Sequence, residues 1–255
     1  MVVGKICHSL FDYLDLLFLL GSKARDFLIE STSYGRNEDK MTPNREDYLK
    51  LILELGGEEK QISNKQIVAG LNVSPASVSE MITKLVKEDF IHHVPYQGVQ
   101  LTETGLTLAS ALIRKHRLWE VFLVEHLGYS WNDVHEEAEV LEHITSSTLA
   151  SRLDQYLHSP QYCPHGGMIP KENHLVREKK RELLSFYPVH SKIRIARVLD
   201  ERELLDYLVM IDLHLDEEYE ISSISPYEGP ITLSNETKKV VVSYKAANSI
   251  FVDIL

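Results

Sequence analysis

The stretch SNKQIVAGLNVSPASVSEMITKLVKEDFIHHVPYQGVQLTETG, residues 63–105, decides the fold. Ser63-Asn64-Lys65-Gln66 is a capping box: a serine at the cap and a glutamine three residues on, opening a short helix to about residue 69. Gly70-Leu71-Asn72-Val73 makes a tight turn. Ser74-Pro75 then sets a cap before a proline, which fits the first helical position because its missing N–H has no partner there. The helix it starts runs to about residue 87, with Val78, Met81, Ile82 and Leu85 as its buried stripe. Residues 91–101 read as two short β runs around Tyr96-Gln97-Gly98, and Thr102-Glu103-Thr104-Gly105 caps the next helix. Upstream, Thr42 and Pro43 repeat the cap-plus-proline start for a helix over 44–54. Tyr48, Leu51, Ile52 and Leu55 share one of its faces, and Gly56-Gly57 ends it. Three helices and a hairpin in this order make a winged helix-turn-helix.

Downstream the chain is helical and strongly apolar: 106–124, 131–144 and 147–157. Leu118, Trp119, Val121 and Phe122 leave no solvated face on the first of these, which predicts burial against a second subunit. A turn-rich loop over 159–170 leads into a basic stretch at 177–181 that reads as a linker. Residues 192–199, 218–223, 231–233, 240–244 and 250–254 read as strands, with a helix at 201–209 among them. That is a small SH3-like β-barrel. The fold class is therefore mainly α with α+β parts. The expected domains are an extension over 1–40, a winged helix over 41–103, a helical metal-binding and dimerisation domain over 104–175, and a linker with the SH3-like domain over 176–255. Residues 1–40 read as an upstream-translated extension or an appended helix, with Met41 as the functional start; the other reading is a genuine amphipathic helix at 10–20 that docks on the body.

At 255 residues, 44 % hydrophobic and 25 % charged, the composition is that of an ordinary globular protein with room for two or three small domains. Two cysteines cannot build a disulfide framework, which points to a reducing cytoplasm. The apolar run at 14–21 is broken by Asp15 and is too short for a bilayer, and no signal-peptide pattern follows it, so no membrane partner is expected. The net charge of −11 is uneven: residues 116–170 carry two basic and eight acidic groups, over half of the excess. The same segment holds six of the twelve histidines. Carboxylates and imidazoles gathered together suit cations.

In a helix-turn-helix the second helix enters the major groove by its N-terminus. Here Ser74, Pro75, Ala76, Ser77 and Ser79 lead it, small groups suited to close approach, thymine methyls and short hydrogen bonds. Lys65, Lys84 and Lys87, with Tyr96 and Gln97 of the wing, are candidate phosphate contacts. With no arginine at the tip, readout leans on methyl contacts and DNA shape.

Glu139, Glu142 and His143 stand at i, i+3 and i+4, a spacing that puts all three on one helical face and lets them converge on one ion. His116 and Glu120 repeat the theme at i and i+4. Cys163-Pro164-His165 sets a thiol and an imidazole two residues apart in a loop. Protease chemistry is excluded because His135-Glu136 has Glu139 where the zinc motif needs its second histidine. No Ser-His-Asp order, phosphate loop or dinucleotide glycine pattern is present, so an enzyme is not expected. Two other readings have stated tests. A small-molecule-responsive winged-helix regulator would bind DNA independently of metal. A metal-dependent hydrolase tethered to DNA would need a base beside bound water.

The order of winged helix, helices bearing Glu139-x-x-Glu142-His143, Cys163-Pro164-His165-Gly166-Gly167 and a small barrel resembles the diphtheria-toxin-repressor family of metal-dependent repressors. It is most similar to the manganese-responsive members that keep the barrel. The resemblance covers about 41–255, including Thr42-Pro43-Asn44-Arg45-Glu46-Asp47-Tyr48. It implies one metal site at Asp47, Glu139, Glu142 and His143. A second is implied at Glu120, Cys163, His165 and Asp200, with His116 nearby. It further implies a homodimer that binds double-stranded operator DNA of metal-uptake genes, with a divalent co-repressor. Three carboxylates and an imidazole form a hard site that suits manganese, although iron would also bind. Iron-type members carry sulfur at the position of Asp47. Cys163 is softer than manganese prefers and leaves zinc or iron open at the second site.

Overall fold

The computed structural model describes residues 41–176 and 179–255. The readings of 1–40 and of Arg177 and Glu178 lie outside the described residues. Residues 42–255 form one unit.

The winged helix comprises α1 (Pro43–Glu54), α2 (Asn64–Leu71), α3 (Pro75–Lys87), β1 (Ile91–Val94) and β2 (Gly98–Leu101). The capping box closes as expected: Gln66 N donates to Ser63 Oγ at 3.4 Å, and Ser63 N donates to Gln66 Oε1 at 3.0 Å. Asn72 takes the left-handed conformation (φ 51°) that ends α2, which asparagine tolerates better than most residues. Ser74 caps α3 through Ser77 N at 3.1 Å, and the expected Val78, Met81, Ile82 and Leu85 stripe is buried. The wing is an antiparallel pair whose Val99 also bridges Ile62. Gly98 is required there, because a Cβ would lie 2.3 Å from the Ile62 carbonyl oxygen.

Two local expectations change in α1. Thr42 stands at the cap position, but its side chain makes no capping bond; its carbonyl accepts from Arg45 N and Glu46 N instead. Leu49 and Leu53 are buried with Tyr48 and Ile52, whereas Leu51 and Leu55 are only half-buried. The helix has neighbours on two sides, which a single amphipathic stripe does not describe.

The helical domain is α4 (Glu103–Leu127), α5 (Val134–Ile144) and α6 (Ser147–Tyr156). Thr102 caps α4 by accepting from Gly105 N at 3.0 Å. Gly128, at φ 72°, ends it. The segment 131–133 is a turn rather than the first turn of α5, and Trp131 there packs on the C-terminal core. The apolar stripe on α4 is partly covered within the chain. Leu118 and Val121 pack with Leu153, Leu157, Cys163 and Ile169, with Trp119 and Phe122 half-buried beside them. Trp119 Nε1 donates to Thr145 Oγ1 at 2.8 Å. The stripe is thus as much the domain's own core as a surface for a second subunit.

The C-terminal domain has β3 (Glu182–Leu183), β4 (Lys192–Val198), α7 (Arg202–Met210), β5 (Glu218–Ile224), β6 (Ile231–Ser234), β7 (Lys239–Val242), α8 (Tyr244–Ala247) and β8 (Ile250–Ile254). The sheet is antiparallel with order β3-β8-β4-β5-β6-β7, and register shifts at Ile195/Arg197 and Ile221/Ser223 bend it. The expected strand at 240–244 stops at Val242, because Ser243 caps α8. Ile193, Ile195, Leu205, Leu208, Ile221, Leu233 and Val242 form its core.

Candidate metal centre

α1, α4, α5, the 163–167 loop and the segment after β4 meet at a cleft of about 960 Å³. Asp47 and Lys50 come from α1, His116 and Glu120 from α4, and His135, Glu139 and His143 from α5. Cys163 and His165 come from the loop, and Asp200 follows β4. Residues from all three parts of the chain therefore line one space.

Three groups of donor atoms lie within 4.8 Å of one another: Asp47, Glu142 and His143; Glu120, Cys163 and His165; and His116, Glu120, His135 and Asp200. The first joins the winged helix to α5. His143 Nε2 is 3.0 Å from Asp47 Oδ1, and its Nδ1 is 2.6 Å from Glu46 Oε2. The second contains a loop whose shape its glycines set. Gly166 has φ 79°, and a Cβ on it would lie 2.3 Å from the Ala196 carbonyl oxygen of β4. That close approach lets Val198 N donate to the His165 carbonyl at 3.0 Å, seating the loop on the C-terminal sheet.

Electrostatically the centre is a lattice of imidazoles between carboxylates. His165 donates from Nδ1 to Glu120 Oε1 at 2.9 Å and from Nε2 to the Trp131 carbonyl at 2.7 Å. Burial works against its charge, but the Glu120 carboxylate, the hydrogen bonds with Cys163 and Glu120 and the Asp200 charge prevail and push it up to about 12. His135 likewise overcomes burial through Asp200 (2.7 Å) and Glu139 (3.2 Å), and rises to about 9. The His135 hydrogen bond is the largest cause holding Glu139 down to about 2. Burial pushes Asp47 up despite His143, and raises the Cys163 thiol. His116, fully enclosed, is held well above the ordinary imidazole range by Glu120 and Asp200 against burial and the Lys50 charge.

Fit to a cation follows from the donors themselves. Glu120 Oε2 and Asp200 Oδ1 are buried with no hydrogen-bond partner among the described residues. A buried carboxylate oxygen without a hydrogen bond is costly, and among the described residues only Asp200 Oδ1 of the two has a cationic neighbour, His165 Nδ1 at 3.5 Å. The residues present fit a divalent ion.

The sequence expectations meet this geometry unevenly. Glu142, His143 and Asp47 converge, as do Glu120, Cys163 and His165. Glu139 does not join the first group: its carboxylate turns to His135 and lies 3.9 Å from Lys50. An imidazolium one turn back on the same helix competes for it, which the i, i+3, i+4 spacing cannot reveal. Asp200 lies 3.5 Å from His165 but is hydrogen-bonded to His116 and His135. Sequence reasoning passed over three residues here: His135, Glu46 and Lys50. The i, i+4 pair of His135 and Glu139 was the available signal for the first.

The expected DNA contacts are all exposed: Ser74, Pro75, Ala76, Ser77 and Ser79 on α3, Lys65 on α2, Lys84 and Lys87 further along α3, and Tyr96 and Gln97 on the wing. Tyr96 stands at its tip with φ 65°. The α3 hydroxyls are engaged locally, Ser77 with Ser74 at 2.9 Å and Ser79 with the Pro75 carbonyl at 3.0 Å. Lys84 is paired to Glu80 at 2.7 Å, so its ammonium must leave that partner to meet a phosphate.

Residues 40–99 match the family described as iron dependent repressor, N-terminal DNA binding domain. Residues 102–171 match iron dependent repressor, metal binding and dimerisation domain, and residues 183–254 match the FeoA domain. The iron-dependent repressor IdeR of Mycobacterium tuberculosis is 33 % identical over 132 residues, which is 52 % of this chain. The chain spans 57 % of the length of that relative. The diphtheria toxin repressor of Corynebacterium diphtheriae is 29 % identical over 221 residues, 82 % of this chain and 96 % of that one. Among solved structures, the manganese regulator SloR superposes with a TM-score of 0.75 at 40 % identity, covering 84 % of this chain and all of that one.

Proposed function

Since the chain belongs to the diphtheria-toxin-repressor family of iron-dependent repressors, we propose that it is a homodimeric transcriptional repressor activated by a divalent metal, manganese foremost. The observation that carries this reading is the meeting of Asp47, on the winged helix, with Glu142 and His143 of α5. Bound there, a divalent ion would supply the positive charge that these donors share across the domain junction. Asp47 then ties α1 to α5, and through α1 the angle of α3 relative to the dimer axis. Glu139 would complete the set by leaving His135. Glu120, Cys163, His165 and Asp200 would hold a second ion, and Asp200 would dock the C-terminal domain onto α4.

Oxygen donors dominate the first set, which suits manganese, with iron a competent substitute. Cys163 makes the second set softer and more open to zinc or iron. Differential affinity of the ion for the DNA-competent arrangement shifts the population toward it. The partner is double-stranded operator DNA of metal-uptake genes, read by Ser74, Pro75, Ala76, Ser77 and Ser79. Lys65, Lys84, Tyr96 and Gln97 would supply backbone contacts. Half-buried Phe122 with exposed Val140, Ile144 and Tyr156 offers apolar surface for a second copy. Among the described residues no helix is long and apolar enough to cross a membrane.

The test is operator binding titrated with manganese, iron and zinc under anaerobic conditions. Saturable activation, strongest for manganese at the lowest free concentration, is expected. Operator binding that ignores all three metals would contradict it.

A further inference from the structure

Lys50 is the one buried lysine among the described residues, and its position is not that of a surface ion pair. Its side chain is 7 % exposed, and Nζ donates to both oxygens of Glu142, at 2.9 and 3.2 Å. It also lies 3.1 Å from His116 Nδ1 and 3.9 Å from Glu139 Oε1. Glu142 is 1 % exposed and bonds His116 Nδ1 at 2.6 Å. Taking an ammonium out of water is costly unless an anion meets it at close range, so the sequence holds Lys50 here against its solvation preference. Lys50 is three residues after Asp47 on α1, and both face α5.

We propose that Lys50 is a tethered cation that competes with the divalent ion for Glu142, and so sets the metal concentration at which the chain responds. One carboxylate serves two cations. The ammonium holds it through both oxygens, and an ion taking Glu142 together with Asp47 and His143 must draw it away from a charge of the same sign. The competitor rides on α1 beside Asp47, which already stands 3.0 Å from His143 Nε2 while Lys50 holds Glu142, so the contest is for Glu142 alone. A lysine that merely oriented Glu142 for the metal would have the opposite effect on affinity.

The inference rests on reading Asp47, Glu142 and His143 as ligands, and the experiment separates the two. Manganese is titrated into the full chain, with the free ion followed by its electron paramagnetic resonance signal, for wild type, Lys50→Met, Lys50→Gln and His143→Ala. Tenfold or tighter binding is expected in both Lys50 variants, and weaker binding in His143→Ala. Unchanged or weaker binding in the Lys50 variants, with His143→Ala impaired, overturns the role of Lys50 alone. Unchanged binding in His143→Ala overturns the ligand reading beneath it. Should the lysine variants fail to fold, acetylation of wild-type Lys50 read by mass spectrometry decides. Protection without added manganese and labelling at saturation is expected; protection in both overturns the proposal.

Discussion

His143 Nε2 stands 3.0 Å from Asp47 Oδ1, one residue on α5 and the other on the first helix of the winged domain. Asp47 is the only member of its donor group contributed by that domain. Glu142 and His143 also reach α1, through Lys50 and Glu46, but Asp47 alone offers a donor from that helix to the group. On the proposed reading, Asp47 is the donor through which a bound ion would hold α1.

Acidity should oppose metal binding. His165 is raised to about 12 and the Cys163 thiol is raised by burial, so both carry their protons at neutral pH. Both must lose them to ligate, so an ion entering there releases up to two protons. Apparent manganese affinity at that site is expected to climb with pH, by up to about 100-fold per unit where both protons leave. Calorimetric titrations at several pH values in buffers of different ionisation enthalpy read the protons directly. A pH-independent affinity would contradict this.

Stability without added metal should move the other way. His135 is raised to about 9, so the stabilisation it gains from Asp200 and Glu139 is complete below about pH 6.5, the unfolded value. It is lost as pH rises through about 9. Urea midpoints in a chelator are expected to fall over that window, and His135→Gln should flatten the fall. An unchanged slope in the variant would count against the assignment.

Gly166→Ala tests the seat of the second donor group. A methyl there would lie 2.3 Å from the Ala196 carbonyl oxygen, at a backbone φ of 79°. Strain of roughly 1–3 kcal/mol is expected. Thermal unfolding should shift down and binding at the Cys163 group should weaken, while isolated changes at Asp47 leave that group intact. Wild-type stability in Gly166→Ala would refute the close-approach argument.

Cys163→Ser should weaken the second group and loosen the C-terminal domain, with a smaller loss of operator affinity than any change at Asp47. Cys163 is buried beside His165 and belongs to the same core as Leu118 and Val121, so part of its effect is packing. Limited proteolysis of the C-terminal domain, with and without manganese, is the measurement. Equal losses of operator affinity for Cys163→Ser and Asp47→Ala would mean the two groups are not ranked in this way.

Much of this was legible in the residues, for physical reasons that can be named. The winged helix is written in local chemistry: Ser63 with Gln66, Ser74 before Pro75 and Thr102 before Gly105 all cap as their spacing demands. The donors were legible as types at fixed helical intervals. Pairing between them was not, because it depends on which neighbours from other elements compete. Glu139 is drawn to His135, and Asp200 is shared by His116 and His135. Lys50 reads as an ordinary helix-surface lysine until α4 and α5 close over it. The apolar stripe of α4 was legible, but its cover by α6 and the 163–169 segment over Leu118 and Val121 was not, because those residues come later in the chain.

The central claim is that Asp47 couples metal to the placement of the winged helix. Operator-binding isotherms across a manganese titration, for wild type and Asp47→Ala, test it most directly. The account predicts that Asp47→Ala still binds some manganese through Glu142 and His143, yet operator affinity no longer rises with the metal. A loss of about tenfold in metal affinity alone would displace the curve by about 1.4 kcal/mol and leave its plateau intact. Full manganese-dependent operator binding in Asp47→Ala would contradict the account.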